Sequence, residues 1–520
     1  MAEHKVLITT SGIGSRLGEL TDFINKSLVR VGDKPAISHI IEYYDEETEY
    51  VITLGHFGIY VKEFLIMAYP ERNFTFVEVN KFKGEGSSLG YSILQAKSEL
   101  QCPFIFHASD TILTDIDSIP NLNNNWCAGA FREESSQYRT LQITEDKIVK
   151  INEKGEINFD NSYIGLCGIK DYNLFWSKLE SIPKTHSLSD VHIINEMLDT
   201  VEFNYHKINK WLDIGNVNEL NKTRNELGSS IEVLDKKNES IYFFEDFVIK
   251  FFSDSNINKN RVERAALLNG LVPDIISSSK HFYKYKKAKG NLFSKSVDAT
   301  SFKSFLEWTK SNLWKGKLAL SYYYNDNTFS DMCFDFYITK TDKRIDSYLE
   351  GKKDSAETIN GKLIPPIEEL LSKIDVKWLC DGIPSQFHGD FILDNIIETK
   401  DSFCLLDWRQ DFAGDLEVGD LYYDLAKLNH NLMINHGIVE QGLFNHSTTN
   451  CNILYNSKLI ECRELLHKFI ENNGYDLNKV KLLTSIIWIN MAPLHEYPLN
   501  NFLFNFGKYN LYKILDEKLS

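Results

Sequence analysis

The sequence predicts a two-domain α/β protein, and three observations carry this. At 520 residues the chain exceeds the ~250–300 residues that one hydrophobic core sustains. Its first part, to about residue 225, alternates short apolar runs with helical stretches, the pattern of a parallel sheet. Near Gly228-Ser229-Ser230 the texture changes to charged, strand-rich segments and then to a mainly helical remainder.

In the first part the apolar runs Lys5–Thr9, Glu49–Leu54, Phe74–Val79 and Pro103–His107 read as strands. Ala36–Tyr44 and Gly90–Glu99 read as intervening helices. After the boundary, "IEVLDKKNESIYFFEDFVIKFF" reads as two or three antiparallel strands joined by tight turns. From about Ser301 the pattern is helical, broken around residues 384–412. The domains expected are 1–228 and 229–520, the second divided into a small lobe to about residue 290 and a large lobe beyond it.

Composition narrows the function classes. A net charge of −16 argues against a nucleic-acid or anionic-membrane binder, since both need basic surface. The eight cysteines are scattered with no CxxC pair, so reduced thiols are expected rather than a zinc or disulfide framework. The N-terminal MAEHKVLITT has neither a long apolar core nor a cleavage site, and no apolar run reaches 18 residues. The expectation is a soluble cytoplasmic protein acting on small molecules.

"SGIGSRLGELTDFINK" (Ser11–Lys26) follows the first strand directly. An ordinary strand-to-helix turn is one reading. A dinucleotide fingerprint is another, but the third glycine, Gly18, falls one place late, and that fingerprint has no role for a cation inside the turn. Arg16 and Lys26 beside a glycine turn suit a triphosphate whose charge redistributes during attack.

At these residues the chain resembles the sugar nucleotidyltransferase family, which joins a nucleoside triphosphate to a sugar phosphate and releases pyrophosphate. Gly12-Ile13-Gly14-Ser15-Arg16-Leu17, Leu20-Thr21 and Asn25-Lys26 follow its G-x-G-[ST]-R-[LM], L-[ST] and Pro-Lys segments, with Thr10 and Ser11 replacing alanines and Asn25 replacing proline. Gly84-Glu85-Gly86-Ser87-Ser88 resembles its second glycine loop, which packs on the base. The resemblance implies a Rossmann-like domain with magnesium on Asp110 and Asp213, and sugar-phosphate contacts from Glu153, Lys154 and the Gly165 segment. Two carboxylates plus phosphate oxygens suit that ion.

A second constellation is "FHGDFILDNII" (Phe387–Ile397) followed by "CLLDWRQ" (Cys404–Gln410). A base, an amide and an acid close together fit magnesium-dependent phosphoryl transfer. This pattern resembles the aminoglycoside phosphotransferase and choline kinase superfamily, a branch of the protein-kinase fold. The resemblance implies a two-lobed α+β domain. Asp390 would orient or deprotonate the acceptor hydroxyl, and Asn395 and Asp407 would hold magnesium. Gly419-Asp420 and Asp424-Leu425-Ala426 would brace the loop. Lys250 would be the ATP-phosphate lysine, Glu263 its helix partner, and "FYKYKKAKG" (282–290) the adenine hinge. No glycine occurs between Ile231 and Glu245, where the usual phosphate loop would fall.

Asp190 and His192 are weaker acceptor-site candidates, with helix capping the simpler reading of Asp190. The aromatic C-terminal tail reads as helical core rather than a cage for a quaternary amine. Together the two resemblances imply a bifunctional enzyme that phosphorylates a small sugar with ATP. It would then couple the phosphate to CTP or UTP, giving an NDP-sugar for surface glycan or capsule synthesis. Choline or ethanolamine kinase with a cytidylyltransferase is the alternative acceptor reading. A nucleotide-sensing, non-catalytic regulator is the alternative class.

Overall fold

The computed structural model describes residues 4–114, 119–133, 135–182, 188–229, 236–315 and 326–519. The chain forms two compact units: Met1–Asn258 with Ile276–Tyr285, and Lys259–Ile275 with Lys286–Ser520. Residues 231–235, part of the glycine-free stretch where the usual phosphate loop would fall, lie outside the described residues.

The first unit is built on a nine-stranded sheet. Its order is Asn73–Glu78, Glu49–Leu54, Lys5–Thr9, Phe104–Ala108, Asn161–Ile169, Asn125–Ala130, Phe203–Lys207, Lys147–Asn152, Thr140–Thr144. The first four strands are mutually parallel, as the apolar runs predict. Val6, Leu7 and Ile8 of the central strand are wholly buried because helices cover both faces. The sheet then turns mixed: Asn161–Ile169 pairs antiparallel with Phe104–Ala108, and Thr140–Thr144 forms a hairpin with Lys147–Asn152. Glu145 and Asp146 make that turn with φ of +48° and +60°. Such a turn ordinarily carries Asn-Gly or Asp-Gly, so this stretch gives no hairpin signal.

A four-stranded sheet, Glu239–Phe243, Phe247–Phe252, Phe282–Lys286 and Ile275–Ser278, follows the texture change, its first two strands antiparallel. Its inner face packs on the helix Gly58–Ala68 through Phe64, which meets Tyr242 and Phe282 edge-on or tilted. Glu63 of that helix accepts from the Ser279 hydroxyl (2.7 Å) and the His281 amide (2.9 Å).

The second unit is mainly helical around the buried helices Leu421–Asn431 and Leu477–Met491. Leu499–Leu519 packs on the latter through Trp488 against Phe506, which stacks on Phe502 of its own helix, so the aromatic tail is helical core. A small sheet of Asn291–Leu292, Ile396–Glu398 and Phe403–Leu405 flanks the 384–412 break. All eight cysteines are free thiols. Among the described residues no helix is long and apolar enough to cross a membrane.

Candidate functional site

The glycine turn of the first unit is shaped by its own residues. Gly14 adopts φ +74°, and a Cβ there would lie 2.8 Å from Lys26 Cβ. A side chain at Gly14 would therefore displace Lys26. Asn25, where the resembled pattern has proline, is fully buried with φ −67°, the angle a proline ring would impose. Its amide instead ties the loop to two strand ends, donating to Thr10 O (2.8 Å) and His56 O (2.6 Å). Its Oδ1 accepts from the Ser27 amide (2.9 Å) and hydroxyl (2.8 Å). Asn25→Ala is expected to cost about 2–3 kcal/mol by orphaning these groups, measurable by chemical denaturation.

Lys26 Nζ reaches Asp110 Oδ2 at 3.0 Å. Burial alone would raise the Asp110 carboxyl. The Lys26 ammonium, by charge and hydrogen bond, and Arg16 more weakly, outweigh it and hold Asp110 below its ordinary value. Asp213 is brought alongside by strand pairing. Trp211–Asp213 runs antiparallel to Thr111–Leu113, and Ile214 N donates to Asp110 O (3.2 Å). Asp213 Oδ1 accepts from Gly215 N (2.8 Å) and Oδ2 from the Tyr138 hydroxyl (3.0 Å). Burial and then the Asp110 charge push the Asp213 carboxyl up, and the Tyr138 hydrogen bond opposes this.

Arg16 extends to the same place: one guanidinium nitrogen lies 3.7 Å from where a Gly215 Cβ would stand. Lys154 feels burial and then Arg16 and Arg139, which lower its ammonium, while Asp213 and Asp110 act the other way. Arg16, Lys26, Asp110, Lys154 and Asp213 therefore share one electrostatic site. Glu153 stands at its exposed margin, 3.3 Å from Arg139 and 3.7 Å from His192. Gly165 allows a close approach to Ala108, whose Cβ would be 2.7 Å from a side chain there. Asp190 opens its helix and is buried, accepting from the Tyr163 hydroxyl at 2.6 Å. Gly84, Gly86 and Ser87 form a turn closed by Ser87 N and Oγ on Gly84 O (3.2 and 2.6 Å), leading into a helix capped by Ser88. Gly12 and Ser15 lie on the exposed rim of the first turn.

Tyr138 carries no motif, yet it touches Asp213. Tyr138→Phe is expected to move the acid limb of any reaction that needs ionised Asp213 to higher pH, because its hydrogen bond lowers Asp213. A loss of roughly 10-fold in kcat/KM is expected, the scale of one hydrogen bond to a charged group.

In the second unit Asp390 sits in a fully bonded loop. Lys427 Nζ pairs with its Oδ1 at 2.8 Å, and the Asn395 amide donates to its carbonyl (2.9 Å) and Oδ2 (3.2 Å). Burial opposes ionisation, but the Lys427 charge and hydrogen bond prevail and hold the Asp390 carboxyl down at about 2. His388 is buried, and burial takes its imidazole down to about 4. It is thus neutral, with Nε2 donating to Leu406 O (2.8 Å) and Nδ1 accepting from Asp390 N (3.3 Å). Asp424 braces the loop by accepting from the amides of His388 (2.8 Å) and Gly389 (2.7 Å) and from the Trp314 indole (3.2 Å). Burial pushes that carboxyl up to about 6. Asp420 accepts from Ile383 N (2.9 Å), Tyr422 N (3.0 Å) and the Tyr337 hydroxyl (2.7 Å).

Asp407 has φ +55° and an ion pair with Arg261. Glu263 does not take the inward position expected of it. It is exposed on the helix Ser255–Leu267 and lies 3.8 Å from Lys259. The buried face of that helix carries Arg261, Arg264, Ala265 and Leu268, a helical repeat that leaves Glu263 outside. Arg264 instead anchors the loop, its guanidinium donating to the carbonyls of Phe387 (2.5 Å), Leu416 (3.0 Å) and Arg409. Lys250, in the first unit, is buried on its strand opposite Ile241.

Among the described residues no group of three or more His, Cys, Asp or Glu side chains gathers as a self-sufficient metal cage. The donor sets are smaller and all oxygen. Asp110 and Asp213 are adjacent carboxylates. In the second unit the Asn395 NH₂ is spent on Asp390, leaving its oxygen beside the loop, and Asp407 adds a carboxylate. Such pairs fit a magnesium ion that takes its remaining ligands from substrate phosphates and water.

No protein-family model and no curated protein matches the chain. Solved structures similar to it include a CTP:phosphocholine cytidylyltransferase from Streptococcus pneumoniae, 19% identical over 44% of this chain and all of that one, with a TM-score of 0.38. An inositol-1-phosphate CTP transferase from T. maritima is 17% identical over 44% of this chain and 95% of its own length (TM-score 0.37). A UDP-glucose pyrophosphorylase from Acinetobacter baumanii is 16% identical over 43% and 93% (TM-score 0.37).

Proposed function

We propose that the protein is a bifunctional transferase. The second unit phosphorylates a small hydroxylated acceptor with ATP, and the first couples the resulting phosphate to a nucleoside triphosphate. The observation that supports this most is the gathering of Lys26, Arg16, Lys154, Asp110 and Asp213, from four separate chain segments, into one charged site at the end of a parallel sheet.

In the first unit the acceptor's phosphate oxygen attacks the α-phosphorus, the α–β bond breaks, and pyrophosphate leaves. Lys26 and Arg16 neutralise the triphosphate as its charge redistributes. Positioning supplies much of the remaining rate. Magnesium, held by Asp110 and Asp213, and in the kinase unit by Asn395 and Asp407, would supply further neutralisation of phosphate oxygens. In the second unit Asp390 receives or orients the acceptor hydroxyl proton. A sugar-type acceptor is favoured over an amino alcohol, since the tail's rings Trp488, Phe502 and Phe506 are buried against one another as helical core.

The test supplies purified protein with ATP, magnesium, each nucleoside triphosphate in turn and a panel of sugars and amino alcohols. Products are followed by phosphorus NMR. The expected result is a sugar phosphate, then an NDP-linked product with pyrophosphate in equal amount. A complete absence of product on every acceptor would favour a nucleotide sensor.

A further inference from the structure

We infer that the acceptor phosphorylated by the second unit is an anion, a hydroxylated carboxylate or phosphate ester, held by a cation cluster beside Asp390. This rests on the kinase reading of that unit and specifies its substrate. The helix Asp326–Phe334 widens into a π turn over Asp335–Thr339 before continuing as Lys340–Leu349. Such turns break helical regularity and recur at functional sites. A cavity of about 490 Å³ opens here, lined by Lys340, Lys343 and Arg344 along with Asp335, Thr339 and Ala413.

The cavity adjoins the Asp390 loop through shared neighbours. Lys340 Nζ and the Arg409 guanidinium both lie over the Phe336 ring, at 4.3 and 4.8 Å. Arg409 is against the loop itself, since a Cβ on Gly389 would meet Arg409 Cβ at 2.6 Å. Phe336 also meets Tyr423 edge-on at 4.8 Å, one helical turn before Lys427, which holds Asp390 at 2.8 Å.

The charge is unbalanced. Among the described residues none of Lys340, Lys343, Arg344 and Arg409 has a carboxylate within ion-pair distance. Of the lining residues only Asp335 is acidic, and it accepts from the Thr339 hydroxyl (3.1 Å). Burial, then Arg409, Lys427 and Arg344, push the Lys340 ammonium well below its ordinary value against the pull of Asp390, and burial and Arg409 lower Arg344 against Tyr423. Cations that crowd one another in a half-buried cleft are stabilised by an anionic ligand. A quaternary or primary ammonium acceptor would instead add a further positive charge. The step balances without other reagents. The acceptor hydroxyl oxygen bonds to the ATP γ-phosphorus, the bond from that phosphorus to the β–γ bridging oxygen breaks, ADP leaves, and the hydroxyl proton passes to Asp390.

The test measures ADP formation and phosphorus NMR products with four acceptor sets: hydroxy acids (glycerate, glucuronate), sugar phosphates (glucose 6-phosphate), neutral glucose, and choline. Transfer to members of the first two sets, at least 100-fold above neutral glucose and choline in kcat/KM, is expected. Which of the two sets reacts identifies carboxylate or phosphate. In the Lys343→Gln/Arg344→Gln double variant, KM for the anionic acceptor should rise 10- to 100-fold while KM for ATP and the circular-dichroism spectrum stay unchanged. Comparable transfer to glucose or choline, or an unmoved acceptor KM in the variant, overturns the anionic acceptor and leaves the kinase standing. Absence of both transfer and ATP hydrolysis across all sets overturns the kinase reading and this inference together.

Discussion

Asp390→Asn should lower phosphoryl transfer by about 10³-fold or more while leaving nucleotidyl transfer by the same preparation within two-fold of wild type, a loss in the middle or upper part of the ~10²–10⁴ range of general-base contributions. The substitution keeps shape and keeps an acceptor oxygen for Lys427 and Asn395, so the loop should hold. What it removes is the carboxylate. The ion pair with Lys427 at 2.8 Å, which keeps the Asp390 carboxyl at about 2, has a consequence for pH. A depressed folded-state value means that the Asp390 contribution to stability is present above the unfolded carboxylate value. It fades only as pH falls from about 4 toward 2. Over the usual assay range Asp390 stays ionised, so no acid limb in wild-type phosphoryl transfer should belong to it. Lys427→Met removes the cation that overcomes burial, and an acid limb should then rise into the measurable range. A pH–rate profile of both variants checks this. Equal loss of both activities in Asp390→Asn, with the fold intact, would contradict two separate sites.

Both candidate sites were legible as clusters where their residues lie close in sequence. Gly12 to Lys26 and His388 to Asn395 are short stretches in which residue type and spacing already suggest the proposed chemistry. Groups recruited by tertiary proximity were not. Tyr138 reaches Asp213 across 75 positions, and Lys427 reaches Asp390 from a helix whose sequence reads as buried core. Asn25 looked like a departure from a proline pattern; its backbone keeps the proline angle while its amide makes four hydrogen bonds. One missed signal was available. Arg261, Arg264, Ala265 and Leu268 recur at helical spacing, which turns that face inward and leaves Glu263 in solvent. In the first sheet the parallel half follows from its apolar runs, whereas the mixed half depends on a Glu145-Asp146 turn whose positive φ angles no residue type there announces. The cation cluster around Lys340 was hidden for the same reason: a helix bearing Lys340, Lys343 and Arg344 looks like a solvated face until its neighbours are known.

Lys26→Ala should reduce nucleotidyl transfer by about 10²–10⁴-fold, with phosphoryl transfer retained, on the scale seen when a preorganised charge is removed from a phosphoryl site. Lys26 has two tasks, and the variant separates them. It neutralises the triphosphate, and at 3.0 Å it offsets the burial that would otherwise raise the Asp110 carboxyl. Without it Asp110 should titrate higher, with Asp213, already raised by burial and by Asp110, close beside it. A buried acid pair with no cation then favours sharing a proton, as adjacent carboxylates do. The residual activity of Lys26→Ala should therefore show an acid limb at higher pH than wild type. It should also require more magnesium for half-maximal rate, since protons and metal then compete for the same two acids. Lys26→Arg should restore the position of the acid limb more fully than the rate, because a guanidinium keeps the charge but not the compact ammonium geometry. If Lys26→Ala lowered the rate with no change in pH profile or magnesium dependence, the lysine would act on substrate alone, and the coupling to Asp110 would have no catalytic role.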